Sequence, residues 1–469
     1  PVSAGPGEAV LVIDDRGQIS WWSGRAAAVP AVDLRLGPGI TGRIDPAAPH
    51  RLLSWALEPG AAPDPLGAAL ADPELADLVT ILRTRGEAVY ALDCPDLTQP
   101  WRERARIAAV ARWTMRPVHH GALLIDRAVA EHATGELVAA GRLFRHAEYA
   151  FAQLGERCLD GELSASAVEL LRTATPAAAV HGLTGAAAEL TAALDDAEIV
   201  DVAALLDAVR RWSVDIDTPG AVPVAATLGG EIPQNEVDQV HLDPTVLPPR
   251  ILSWQGARTP ELRVEHLPDA DAFRLGAHLA AGVDPLCREV ADLLAYAADR
   301  ETGALLAVTA TTVEGRLVVA ELPAGGRDSR TVHFGLFSAD IAPAALRADP
   351  VGRGLVDVDR AMIEAWNQHR TALVTLASVP ADAPEPELAE ARLRCEEHLL
   401  LAESAALDAQ GIVAGMLEQP GIEDANPRGM LTARHSAVQA YLDALRAPEV
   451  AADPLTLTEL IPPDAETDR

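Results

Sequence analysis

The sequence predicts a multi-domain α+β protein, predominantly helical overall, in which two small antiparallel α+β units alternate with helical bundles. Three observations carry that reading. Short β-branched pieces bounded by turn residues give way to helical periods near residue 118 and again near 346. A Pro/Gly-rich stretch over 213–250 separates two such successions. A chain of 469 residues also exceeds one ordinary core, and length alone suggests roughly three domains. The expected units are an α+β domain over 1–115, a helical bundle over 116–212, a linker over 213–250, a second α+β domain over 251–345, a helical hairpin or bundle over 346–446 and an acidic tail over 447–469.

Ala9 to Ile13 is apolar and β-branched, Asp14-Asp15-Arg16-Gly17 forms a turn, and Gln18 to Trp22 returns as a strand. From there to residue 100 the chain is punctuated by Pro and Gly. Leu123, Ala130, Leu137, Phe144, Phe151 and Cys158 then recur every seven residues, with Ala133, Ala140, Ala147 and Leu154 at the intervening d positions and Asp126 as the exception. This spacing predicts one long heptad helix, Leu123 to Cys158, available for packing or self-association. Ser166 with Glu169 reads as a capping box for 167–175, and 183–195 and 202–212 are further helices. After the linker, Leu262 to Leu267 is a strand, and Asp284-Pro285 opens a helix to about Asp299. Leu305 to Thr312 and Arg316 to Leu322 form a hairpin, with Thr331 to Phe337 as a third strand of a meander. Val358, Met362, Trp366, His369, Leu373 and Leu376 mark one helix face, and Leu388 to Met416 another, joined by a proline-rich turn as an antiparallel pair. A short helix near 433–446 completes the bundle, and the tail frays. The similar pentapeptides Arg51 to Trp55 and Arg250 to Trp254 are read as chance likenesses, not a duplication.

Composition excludes several functions. The chain has no lysine; its 38 basic side chains are all arginine, against 69 acidic ones, for a net charge of −31. A Walker P-loop, a protein kinase and a Schiff-base enzyme each need a lysine. The acid excess argues against nucleic acid or an anionic membrane as partner, since both require a positive field. Missing lysine, abundant alanine and only three asparagines point to a high-GC bacterial genome, actinobacterial by expectation. Cys94, Cys158, Cys287 and Cys395 form no C-x-x-C pair, no 18-residue apolar run is present, and no basic-then-apolar leader precedes the first strand. A cytoplasmic location is the expectation.

Motifs with chemical potential mostly fail their own tests. Gly37-Pro38-Gly39-Ile40-Thr41-Gly42 has dinucleotide-fingerprint spacing, but Arg43-Ile44-Asp45-Pro46 follows where a helix is needed, so it is a turn. His132, Glu136 and His146 share a helix stripe, yet the two histidines would lie about 21 Å apart, too far for one ion. No H-E-x-x-H and no G-x-S-x-G occurs. No cofactor or metal site is expected. Glu396-Glu397-His398 and His369 read as structural, and Cys94 as the one loop-like thiol, with its neighbours Asp93 and Asp96 opposing thiolate formation. The remaining catalytic candidates are the adjacent His119 and His120, as general acid or base beside a carboxylate such as Asp126.

Val10-Leu-Val-Ile-Asp-Asp-Arg-Gly-Gln-Ile-Ser-Trp-Trp22, followed by Ala26-Ala27, resembles the opening hairpin of PAS sensor domains over about 20 residues. That resemblance implies a small-ligand sensor or a dimerisation module. The primary expectation is a cytoplasmic scaffold, adaptor or regulatory protein that acts through protein contacts or self-association. A lysine-free, metal-free enzyme using His119 or His120, and the small-ligand sensor, are the alternatives.

Overall fold

In the computed structural model, which describes residues 9–85, 90–91, 95–196, 202–217, 238–254, 256–419, 425–447 and 454–463, the first hairpin belongs to a six-stranded antiparallel sheet. β1 (Val10–Ile13) and β2 (Ile19–Trp22) pair across the Asp14 turn, whose carboxylate accepts from the Arg16 and Gln18 amides at 3.0 and 2.8 Å. A meander of β3 (Val32–Gly37), β4 (Ile40–Asp45) and β5 (Ala48–Leu57) follows, and with β6 (Tyr90–Ala91) the order is β3-β4-β5-β2-β1-β6. The Gly37 to Gly42 motif is the β3–β4 turn, with Gly39 at φ 69°. Strict alternation buries Val32, Leu34, Ile40 and Ile44 under α1 (Asp64–Leu70), α2 (Glu74–Arg85) and α3 (Gln99–Trp113). Cys94 lies outside the described residues.

The expected long heptad helix is two helices. α4 (His120–Ala133) stops at Thr134, whose hydroxyl donates back to the Ala130 carbonyl at 2.9 Å, and Gly135 turns the chain with φ 84° before α5 (Leu137–Leu159). The two run antiparallel and close: a Cβ on Gly121 would stand 2.3 Å from that of Ala150. The seven-residue repeat therefore reports two faces meeting each other. Phe144, Phe151 and Cys158 are buried, whereas Leu137 at the turn is about half exposed. Phe144→Asp is expected to unfold this bundle, and Leu137→Asp to change stability by less than about 0.5 kcal/mol, checked by urea denaturation of both variants.

α6 (Ala165–Val180), α7 (Thr184–Asp195) and α8 (Val202–Asp217) continue the helical region. Ser164, not Ser166, caps α6, accepting from the Ala167 amide at 3.3 Å. Residues 213–217 extend α8, so the stretch read as linker begins helical; residues 218–237 lie outside the described set.

The second α+β unit is corrected to a two-sheet all-β sandwich with a single helical turn. β7 (Asp238–Val240), β8 (Leu262–Leu267) and β9 (Ala272–His278) precede that turn, α9 (Arg288–Ala291). β10 (Leu293–Asp299), β11 (Leu305–Ala310), β12 (Thr312–Glu314), β13 (Leu317–Pro323) and β14 (Val332–Ser338) follow. The sheets are β12-β13-β9-β8-β7 and β11-β10-β14, with Phe273, Leu275 and Leu322 of one facing Leu293, Phe334 and Leu336 of the other. The helix expected from Asp284 fails because Leu293 to Ala298 is the central strand of its sheet, buried on both faces, and a continuous apolar run has no period to separate strand from helix. The expected meander is also repaired: β11 pairs with β10, and the chain changes sheet at Thr311 so that β12 hairpins with β13.

α10 (Pro350–Ala377), α11 (Glu385–Glu418) and α12 (Ala425–Leu445) form the C-terminal bundle, with Asp349 capping α10 at the amides of Val351 and Gly352. Their inner faces (Val358, Met362, Trp366, Val413, Leu442) share one core with the N-terminal sheet and α1–α3. Asn367 seals that junction, accepting from the Met115 amide at 3.0 Å and donating to the Trp113 carbonyl at 2.8 Å. The tail expected to fray instead carries α13 (Leu457–Leu460), with Leu457, Leu460 and Ile461 buried in the core of α4–α7. Its Thr456–Glu459 capping box fixes the start of the turn. Helices hold 52% and strands 19% of the described residues, a mixed α+β protein.

Candidate functional site

Of the three sequence candidates, His119 is the N-cap of α4, its Nδ1 accepting from the Ala122 amide at 3.1 Å, and His120 is the first residue of that helix and exposed. Asp126 is two turns further on, about 10 Å along the axis. Its carboxylate is turned to α13, where Oδ1 accepts from the Leu457 amide at 3.1 Å and Oδ2 from the Thr458 amide and hydroxyl at 2.7 and 2.6 Å. Burial pushes its pKa from 3.8 up to about 6, the three donors pulling back against that. The structure therefore does not bring Asp126 to either histidine; it makes it the anchor of the C-terminal turn.

His132, His181 and His398 are held locally. His132 Nδ1 and His181 Nε2 lie 3.0 Å apart, with Phe144 stacked on His181. His398 Nδ1 is 2.8 Å from Gln368 Oε1, and burial beside Arg116 and Arg394 pushes its pKa down to about 4. Burial raises the thiols of Cys158 and Cys395. Among the described residues no three His, Cys, Asp or Glu side chains are placed to share a metal ion.

What the topology does assemble is a charged cleft where the N-terminal sheet, the sandwich and the C-terminal helices meet. Arg347, just after the sandwich, donates through Nε and Nη2 to both Asp243 oxygens at 2.9 and 2.7 Å and through Nη1 to Asp359 on α10 at 2.5 Å. Arg434 on α12 pairs with the same Asp359 and donates to the Ala27 carbonyl. Arg112 on α3 crosses to the loop after β7, donating to the carbonyls of Pro244 and Thr245 at 2.7 and 3.2 Å. These side chains line a cavity of about 560 Å³ whose apolar wall includes Val32, Trp113, Leu355 and Met430. Beside it, Arg360 of α10 is wholly buried against Glu261, with Trp254 stacked on its guanidinium at 4.4 Å.

A second feature is the outward face of α11. Leu393, Leu400 and Leu407 stand exposed at seven-residue spacing, joined by Leu401. Further along the same stripe, a Cβ at Gly411 or Gly415 would meet only open space. α11 is also the one described helix long and apolar enough to cross a membrane, and little of its most apolar window is buried.

Neither feature was found from sequence. The cleft draws on α3, the loops around 243 and 347, α10 and α12, and no local pattern links positions so far apart. The usable signal was narrower: Asp359-Arg360 interrupts the apolar stripe of α10 at positions that the structure buries. No known protein family matches this chain, and no curated protein or solved structure does.

Proposed function

We propose that the chain is a cytoplasmic interaction protein, a scaffold, adaptor or regulatory component, which works by pairing with a second copy of itself through the outward face of α11. The supporting observation is the mostly apolar stripe Leu393, Leu400, Leu401, Ser404, Leu407, Gly411 and Gly415, interrupted by Glu397, on a protein of net charge −31. The acids in residues 399–417, Glu403 and Asp408, are turned aside to Arg446 and Arg258. An antiparallel pair centred on Ser404 sets Leu401 against Leu407 as an apolar contact and Leu393 against Gly415 as a large residue to a gap. Flanking Glu385, Glu387, Glu390, Glu396 and Glu397 disfavour an anionic bilayer as the alternative cover.

Light scattering on size-exclusion fractions tests this directly. The wild type is expected at the mass of two chains, and Leu400→Glu with Leu407→Glu at the mass of one, with unchanged far-UV dichroism. A single-chain mass for the wild type at all concentrations, or co-flotation with neutral vesicles abolished by the same variant, would overturn it.

A further inference from the structure

We propose that the cleft between the N-terminal sheet, the sandwich and the C-terminal helices is a binding site for a small organic anion, a carboxylate or phosphate head on an apolar body. The argument begins with charge. Arg43, Arg112, Arg347 and Arg434 line it against the carboxylates Asp33 and Asp359, with Asp33 paired to Arg43 and Asp243 held behind Arg347. Arg347 and Arg434 share Asp359, and Asp45 is taken up by the amides of Ala28 and Ala47 at 3.0 and 2.9 Å. That leaves Arg112, on the cavity wall, donating only to backbone carbonyls among the described residues, as does its neighbour Arg250 outside the lining.

A guanidinium taken out of water without a counter-charge is costly, and an anion in contact removes that cost. Burial pushes both Arg112 and Arg250 down to about 10, although Asp243 and Asp33 pull back at Arg112, and Arg112 adds to the push on Arg250. Arg434, more than nine-tenths buried on the cavity wall, also has no hydrogen-bond partner for its Nε among the described residues. Guanidinium forks suit carboxylate and phosphate oxygens. The apolar half of the wall, Trp113, Leu355 and Met430, sets the second requirement, since a bare ion would leave it wet. Because the arginines come from α3, α12 and the end of the sandwich, an occupant would also tie three units together.

Titration calorimetry with inorganic phosphate, phenyl phosphate, benzoate and neutral benzamide on the full chain is the test. Phenyl phosphate or benzoate is expected to bind saturably and benzamide not at all. Arg112→Gln should weaken the anion about tenfold or more, some 1.4 kcal/mol. Should that variant fail to fold, phenylglyoxal labelling of wild-type Arg112 replaces it; a lysine-free chain gives unusually clean arginine modification, and the bound probe should protect Arg112. No saturable binding of either organic anion, equal affinity in Arg112→Gln, or labelling that no probe slows would overturn the site. Inorganic phosphate binding as tightly as phenyl phosphate would overturn the organic occupant and leave an adventitious ion only. The α11 variant should bind the probe like wild type, so this site stands or falls apart from self-association.

Discussion

Arg360→Met is expected to cost about 3–5 kcal/mol in urea denaturation, because it strands Glu261 as a buried charge without its partner. Arg360 Nη2 meets Glu261 Oε1 at 2.6 Å and Nη1 meets Oε2 at 2.9 Å. The same guanidinium also collects the carbonyls of Leu242, Gly256, Ala257 and Thr259, so the loop between β7 and β8 is wrapped on one side chain of α10. Burial raises the Glu261 carboxyl even with Arg360 present, and removing the cation raises it further. The double variant Arg360→Met with Glu261→Leu should recover much of the loss, since the charge then goes with its partner. A loss under about 1 kcal/mol for the single variant, or no recovery in the double one, would show that the pair does not hold the sandwich to the helices.

Asp126→Ala is expected to lose about 2–4 kcal/mol, leaving two backbone amides and the Thr458 hydroxyl without an acceptor inside the core. The C-terminal turn should become a site of rapid proteolysis. Arg370 would persist as its second tether, donating to both Glu459 oxygens at 2.5 and 2.9 Å. The effect carries a pH signature. Asp126 titrates at about 6 when folded against 3.8 ordinarily, so its contribution is fully present below 3.8 and is lost as pH rises through 6. The stability gap between wild type and Asp126→Ala should therefore narrow between pH 4 and 6. A gap that widens across that window would reverse the assignment.

Particular residues show what could be read in advance. The Asp14 turn, the failed Gly37 motif and the inner faces of α10 and α11 were legible because each is set by neighbours in sequence, except that Leu376, expected on the α10 face, is exposed near the end of its helix. Asp126 was legible only as an irregularity: a lone acid at an apolar heptad position marked a buried acceptor, but its donors lie more than 330 residues away. Tyr296 shows the opposite failure. Its strand is apolar on both sides, so no alternation separated it from a helix, and its ring lies over Gly335 of the neighbouring strand in a contact no local pattern encodes. The arginine cleft was silent for the same reason, every contributor being ordinary in its own segment.

The seating of α13 among α4–α7, and of α10–α12 on the first sheet, bears on how the chain is made. Emerging from the ribosome N-terminus first, the opening sheet exposes Trp55 and Leu57 for the time needed to add some 300 more residues, and the middle bundle waits for Leu457. Neither core can close until those distant segments have been made. Among the described residues, the sandwich between them draws its core, Leu242 to Leu336, from consecutive sequence, so it is the unit expected to fold first on the nascent chain.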